Sequence, residues 1–84
     1  MTGVPPRLTL YSRAYCHLCD DLLAALEGLR GEYIFDIEIL DVDADPELEA
    51  KYNELVPVLA ANGAELCHYF LDELKVREYL ARFR

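Results

Sequence analysis

Hydrophobic and polar residues follow one another along the chain in patterns that predict a strand and then a helix. Residues 8–11 alternate in polarity and are strand formers, so they predict a first strand. After a short loop, leucine and alanine recur at helical spacing. This spacing predicts a first helix that begins at Cys16 or His17, extends to Arg30 and is ended by Gly31.

The same succession of strand and helix is repeated in the middle of the chain. Residues 33–42 are rich in isoleucine, phenylalanine and valine, and they predict a second strand that is buried on most sides. Asp45 followed by Pro46 supplies a helix cap and a first-turn proline, which predicts a short second helix. Its apolar positions are Leu48, Tyr52 and Leu55.

A hairpin and a final helix are predicted for the remainder. The pair Asn62-Gly63 separates two short apolar runs, 57–61 and 64–70, and both residues tolerate the positive φ of a tight turn. Asp72 is the expected cap of a last helix. The apolar stripe of that helix consists of Val76, Tyr79, Leu80 and Phe83. The order β-α-β-α-β-β-α predicts an α/β fold with a mixed four-stranded sheet and helices on both faces.

Length and composition limit the number of domains and the classes of partner. The 84 residues, 54% of them hydrophobic, are enough for a single globular domain spanning 1–84, which we expect to be a monomer. Sixteen acidic residues against eight basic ones give a net charge of −8. Such a surface repels nucleic acid and anionic membranes, so we expect neither as a partner. Residues 1–7 lack the apolar core of a signal peptide, which favours a cytoplasmic location.

The strongest chemical signal is a pair of cysteines between the first strand and the first helix. Cys16 and Cys19 are three positions apart, at a place where free backbone N–H groups and the helix dipole stabilise a thiolate. Cys19, one turn into the helix, can attack a mixed disulfide on Cys16 and release the product. Arg13 adds positive charge nearby, whereas Asp20 and Asp21 oppose a thiolate. The pattern predicts redox chemistry with Cys16 as nucleophile and Cys19 as resolving thiol.

Across nearly its whole length, the chain resembles the glutaredoxin-like members of the thioredoxin superfamily. The segments that carry the resemblance are Tyr11-Ser12-Arg13 before Cys16-His17-Leu18-Cys19, Leu40-Asp41-Val42-Asp43, and Leu55-Val56-Pro57. The resemblance implies a thioredoxin-like fold of the glutaredoxin type and a thiol–disulfide oxidoreductase that reduces protein disulfides or glutathione mixed disulfides. It also implies that Pro57 is cis and faces the two cysteines, and that the Val56 backbone pairs with an extended substrate. With these two residues, Arg13 and Tyr15 complete the expected substrate-binding set.

The chain departs from that family where glutathione is held. Cys67-His68-Tyr69 stands in place of a double glycine and an aspartate, and side chains there can block the close backbone approach that glycine permits. No tightly bound cofactor is expected, and glutathione enters only as a co-substrate. A family member without a glutathione site, recycled by a thioredoxin reductase system, is one alternative.

A binding module without redox turnover is the other alternative. Cys67 and His68 would complete a four-ligand zinc or iron–sulfur set if they lay beside Cys16 and Cys19. The same scaffold would otherwise dock a protein partner. Because zinc sites seldom use adjacent residues as ligands, and an alternating strand also explains Cys67 and His68, we predict no metal ligand.

Overall fold

The structure, a computed structural model, describes residues 5–83. Residues 1–4 and residue 84 lie outside the described part. The expectation that residues 1–7 form no signal peptide therefore concerns, in part, residues that the structure does not describe. The strands are β1 (Arg7–Ser12), β2 (Asp36–Asp41), β3 (Val58–Ala61) and β4 (Ala64–His68), and the helices are α1 (His17–Glu27), α2 (Pro46–Tyr52) and α3 (Glu73–Ala81). Two 3₁₀ turns, Gly28–Gly31 and Val42–Ala44, follow α1 and β2. The element order is the predicted one.

The four strands form one mixed sheet in the order β2-β1-β3-β4. β1 and β2 are parallel, whereas β3 is antiparallel to both β1 and β4. Ser12 is paired with Asp41, Tyr11 with Val58, and Val58 with His68. The ends of β1, β2 and β4 therefore lie beside the beginning of β3, and we call this the site end of the sheet.

Alternating side chains along the strands build a core on each face of the sheet. On one face Leu8, Leu10 and Leu59 belong to the main cluster, which α1 and α3 cover. The helical members of that cluster are Leu22, Leu26, Val76 and Leu80. On the other face the second cluster consists of Val42, Tyr52 and Val58, with Tyr11, Leu48, Leu55 and Val56 packed against it. The prediction of helices on both faces is confirmed.

The predicted boundaries of the first helix and of the second strand are wrong. The α-helix ends at Glu27 rather than Arg30, because the chain tightens into a 3₁₀ turn at Gly28–Gly31. The second strand begins at Asp36 rather than at residue 33, because its parallel partner begins only at Arg7. It ends at Asp41, and its burial was also mispredicted. β2 lies at the edge of the sheet and has no fully buried residue, because four of its six residues are exposed and the other two, Ile37 and Leu40, are half-buried.

The predicted hairpin is confirmed, although its second strand is shorter than expected. Asn62 and Gly63 have φ angles of 52° and 78°, as their turn requires. β4 ends at His68 instead of continuing to residue 70, because Tyr69 turns into the left-handed region with φ 65°. Phe70 is consequently exposed.

The last helix is capped as predicted, by the Asp72 carboxylate, which accepts a hydrogen bond from the Lys75 N–H at 3.1 Å. Of its predicted apolar stripe, Val76 and Leu80 are buried, whereas Phe83 lies beyond the helix and is half exposed. None of the helices formed by residues 5–83 combines the length and apolar character that crossing a bilayer requires.

Candidate active site

The cysteine pair lies at the start of α1 and is closed by a disulfide, with the two Cα atoms 5.2 Å apart. Cys16 is the N-cap residue, in extended conformation, and its Sγ accepts a hydrogen bond from the Cys19 N–H at 3.1 Å. The Asp20 N–H donates to the Cys16 carbonyl at 3.1 Å and begins the helix. Cys16 is half-buried, whereas Cys19 is only 5% exposed. Cys16 is thus the partly accessible residue of the pair, and Cys19 is the covered one.

Tyr15 turns the chain from β1 toward this helix. Its φ is 58°, an uncommon conformation for a residue other than glycine, and its side chain is fully exposed. His17, the first residue of α1, is also exposed. The accessible sulfur therefore lies between two residues whose side chains face solvent.

Arg13 is anchored on residues from distant parts of the chain. Its Nη1 donates to the Asn53 carbonyl at 3.2 Å, and its Nη2 donates to Asn53 Oδ1 at 2.8 Å and Asp43 Oδ1 at 2.9 Å. Its Nε is buried and has no hydrogen-bond partner among residues 5–83. The guanidinium group therefore connects the loop before Cys16 to the chain that follows α2.

That part of the chain, which we call segment 53–57, connects α2 to β3. The peptide bond between Val56 and Pro57 is cis, and Pro57 is buried. Leu55 and Val56 are half-buried and pack against the second cluster. The hydrogen bonds among residues 5–83 include none to the Val56 main chain.

Tyr69 contacts the same segment from the end of β4. Its N–H donates to the Pro57 carbonyl at 2.9 Å, and its hydroxyl donates to the Glu54 carbonyl at 2.7 Å. Its ring meets that of His68 edge-on, with the centroids 4.8 Å apart. Sequence reasoning included Tyr69 in the fourth strand and missed this contact, because its partner Glu54 is 15 positions away.

All four residues expected to bind substrate belong to the site end of the sheet. Arg13 and Tyr15 follow β1, while Val56 and Pro57 precede β3, and these two ends are adjacent because β1 and β3 are antiparallel. The sequence analysis named Asp43 as part of a segment that carries the resemblance, but it identified neither Asp43 nor Asn53 as a partner of Arg13.

The remaining cysteine and its neighbour lie at the end of β4, where His68 pairs with Val58. Cys67 is 8% exposed in the main cluster, and burial raises the pKa of its thiol. His68 Nδ1 lies 2.6 Å from Glu65 Oε2. Residues 5–83 contain no group of three or more histidine, cysteine, aspartate or glutamate side chains that could hold a metal ion.

Comparison with known proteins identifies relatives that match most of the chain. The model of the family described as "Glutaredoxin-like domain (DUF836)" matches residues 7–81. "Uncharacterized protein Rv0508" of Mycobacterium tuberculosis is 32% identical over 82 residues, which cover 92% of this chain and 84% of that protein.

Two solved structures are similar in fold to this chain. The solution structure of protein Ne2328 from Nitrosomonas europaea has a TM-score of 0.84 and 40% identity, covering 95% of this chain and 96% of that one. Fasciola hepatica thioredoxin has a TM-score of 0.59 and 25% identity, covering 95% and 82% of the two chains. The predicted thioredoxin-like fold is confirmed.

Proposed function

Since the chain belongs to the glutaredoxin-like domain family, we propose that it is a thiol–disulfide oxidoreductase that works through Cys16 and Cys19. The observation that carries the proposal is the disulfide at the start of α1, in which Cys16 is partly accessible and Cys19 is buried. A helix N-terminus favours the thiolate form of a cysteine, and the thiolate is the attacking species.

In the first step the reduced protein attacks its substrate. The Cys16 thiolate attacks one sulfur of a disulfide R–S–S–R′, forming a bond from Cys16 Sγ to the sulfur of R and breaking the S–S bond. The electron pair leaves with R′–S⁻, which takes a proton from solvent. The Cys19 N–H that donates to Cys16 Sγ at 3.1 Å is placed to stabilise the charge on this sulfur before the attack.

In the second step the buried cysteine releases the product. The deprotonated Cys19 attacks Cys16 Sγ, forms the Cys16–Cys19 disulfide and expels R–S⁻, which is then protonated. The protein has given two electrons to the substrate and is left oxidised, with the same disulfide that the structure contains. A thiol reductant, such as two molecules of glutathione or a reductase dithiol, is required to reset it.

Segment 53–57 is the proposed docking site for the substrate backbone. The Val56 main chain is free of hydrogen bonds among residues 5–83, and it lies at the same end of the sheet as the accessible sulfur. An extended peptide on either side of a substrate cysteine would pair with it as an added strand. Protein disulfides and glutathione mixed disulfides both present such a backbone.

Three single variants test the assignment. A disulfide-linked cysteine peptide is mixed with the reduced protein, and release of the thiol is followed together with the intact protein mass. We expect Cys16→Ser to abolish exchange and Cys19→Ser to stop with the peptide bound to Cys16. Cys67→Ala, the matched control, should exchange normally. Full activity in Cys16→Ser would show the assignment to be wrong.

A redox titration tests glutathione as a partner. The protein is equilibrated in glutathione buffers of graded potential, alkylated, and analysed by peptide mass. We expect Cys16 and Cys19 to lose their alkylation sites together. A glutathione adduct on Cys16 at intermediate potentials would support glutathione as a co-substrate, whereas two cysteines that stay alkylatable in every buffer would contradict the dithiol assignment.

A further inference from the structure

Segment 53–57 lies in neither a helix nor a strand, so something else must fix its position. Within the segment and its junction with α2, the Asn53 N–H donates to the Glu49 carbonyl at 2.9 Å and the Leu55 N–H donates to the Tyr52 carbonyl at 2.8 Å. These bonds orient the segment only relative to α2. The packing of Leu55 and Val56 against the second cluster, and the pairing of Val58 with Tyr11, place the later part of the segment relative to β1. The exposed start of the segment, Asn53 and Glu54, needs further contacts to be held beside the cysteine loop.

Arg13 supplies the contact on the side of the cysteine loop. Its two Nη atoms hold both the carbonyl and the side-chain oxygen of Asn53, while Asp43 balances the charge and fixes the plane of the guanidinium group. The rigid plane of the guanidinium group holds these three acceptors through two different nitrogens, which the single nitrogen of a lysine cannot reproduce. Because Arg13 is three residues before Cys16, this contact holds the start of segment 53–57 beside the loop that carries Cys16.

Tyr69 supplies the contact on the opposite side. Its left-handed backbone, with φ 65°, ends β4 and turns its N–H to the Pro57 carbonyl, while its hydroxyl reaches the Glu54 carbonyl. The two hydrogen bonds, at 2.9 and 2.7 Å, span both ends of the dipeptide Leu55-Val56. The Val56 main chain itself is left without a partner among residues 5–83.

We infer that Arg13 and Tyr69 are positioning residues that brace segment 53–57 from two sides and set the affinity for the substrate backbone. This inference rests on the proposed function and assigns Arg13 a different task from adding charge beside the thiolate. The brace acts through the main chain of the segment and touches neither sulfur. Its loss should therefore weaken substrate binding and leave the thiol chemistry unchanged.

The test uses the full chain with the variants Arg13→Gln, Arg13→Lys and Tyr69→Phe. Tyr79→Phe is the matched control, because it removes only the hydroxyl that accepts a hydrogen bond from Asn62 Nδ2 at 3.4 Å, at the opposite end of the sheet. For each protein, kcat and KM are measured with a disulfide-linked cysteine peptide. The alkylation rate of reduced Cys16 and the amide hydrogen exchange of residues 53–56 are measured as well.

We expect Tyr69→Phe to raise KM about 2- to 10-fold, the loss that one hydrogen bond predicts. Arg13→Gln should raise KM at least as much, and hydrogen exchange in the segment should become faster in both variants. The kcat value and the alkylation rate of Cys16 should stay at the wild-type level. Arg13→Lys should behave like Arg13→Gln, because a lysine keeps the charge and loses the planar fork.

Two results would overturn the inference while leaving the proposed function intact. One is an active wild-type protein whose Tyr69→Phe and Arg13→Gln variants keep the wild-type KM and hydrogen exchange. The other is full rescue by Arg13→Lys together with a lower alkylation rate in Arg13→Gln, since that combination would assign Arg13 to the charge of the thiolate. If wild-type protein exchanges no disulfide, the proposed function fails, and unchanged hydrogen exchange in the variants would then separately overturn the brace.

Discussion

At the scale of single residues, the three cysteines differ in how deeply they are buried and in what surrounds their sulfur atoms. Cys16 is half-buried at a helix start, where its sulfur accepts an N–H. Cys67 is packed in the main cluster, and burial raises the pKa of its thiol because the charged form would lose its hydration. The same burial that makes Cys67 a core residue makes it a poor nucleophile.

This burial predicts how stability depends on pH. Because the pKa of Cys67 is raised in the folded state, the unfolded chain loses its thiol proton first as pH rises. The contribution of Cys67 is therefore complete below the pKa of an unfolded cysteine, about 8.5, and is lost above it. We expect the free energy of unfolding of the oxidised protein to fall between pH 8 and pH 10, and to fall less in Cys67→Ala.

Urea unfolding at several pH values measures both curves. Cys67→Ala will be less stable at neutral pH because it leaves space in the core, so the slopes are compared rather than the absolute values. Burial also raises the pKa of Tyr11, which contributes equally to both proteins and cancels in the comparison. Parallel curves for wild type and variant would contradict the prediction.

The site residues also show what a sequence can reveal about chemistry. Cys16 and Cys19 could be identified because their partnership is local, three positions apart at the start of a helix. The partners of Arg13 could not, because Asp43 and Asn53 are 30 and 40 positions away and meet it only through the folded sheet. Local pattern thus predicts the reacting atoms and misses the contacts that orient their surroundings.

Among the elements, α2 is the shortest helix of the described chain and the one that precedes segment 53–57. It contributes Tyr52 to the second cluster, where the ring stacks on Tyr11 with the centroids 4.4 Å apart. A helix of seven residues is marginal by itself, so its first turn depends on capping. The cap is Asp45, whose carboxylate accepts a hydrogen bond from the Glu47 N–H at 2.9 Å.

Removing this cap should weaken the whole domain measurably. We expect Asp45→Ala to lower the free energy of unfolding by about 1 kcal/mol, the usual loss for an N-cap replaced by alanine. Asp45→Asn keeps an acceptor oxygen at the same place and should lose much less. Urea unfolding of the two variants against wild type makes the comparison. An equal loss in both would mean that the charge of Asp45, rather than its hydrogen bond, supports the helix.

The elements differ in how far their sequence predicts their ends. The hairpin was predictable because Asn62 and Gly63 supply the positive φ angles of the turn by themselves. The start of β2 was not, because the Asp36 N–H pairs with the Pro6 carbonyl and the strand begins only where β1 provides a neighbour. An apolar run predicts that a strand forms. The ends of that strand depend on where the neighbouring strand begins and ends.

At the scale of the whole molecule, the charge of −8 acts on every ligand that approaches. Arg13, Arg30 and Arg77 are each paired with carboxylates, so these cations add little free positive potential. A net negative field slows the encounter with anions and speeds the encounter with cations, and salt screens both effects. This field acts before any specific contact with the site.

Three small disulfides that differ in charge can measure the field at the reacting sulfur. Glutathione disulfide is anionic, hydroxyethyl disulfide is neutral and cystamine is cationic, and each reacts with a reduced Cys16 at a measurable second-order rate. Raising the ionic strength from 20 to 500 mM shortens the screening length from roughly 20 Å to about 4 Å. We expect the rate to rise for the anionic disulfide, stay level for the neutral one and fall for the cationic one.

The neutral disulfide serves as the internal control, because any effect of salt on the thiolate itself appears there and can be divided out. Equal slopes for all three disulfides would contradict steering by the net charge. If glutathione disulfide instead reacts faster than cystamine at low salt and slows as salt is added, a local cationic contact must outweigh the charge of −8. Arg13 would be one source of such a contact if it left Asp43 and Asn53 when glutathione binds, and repeating the measurement with Arg13→Gln would test this.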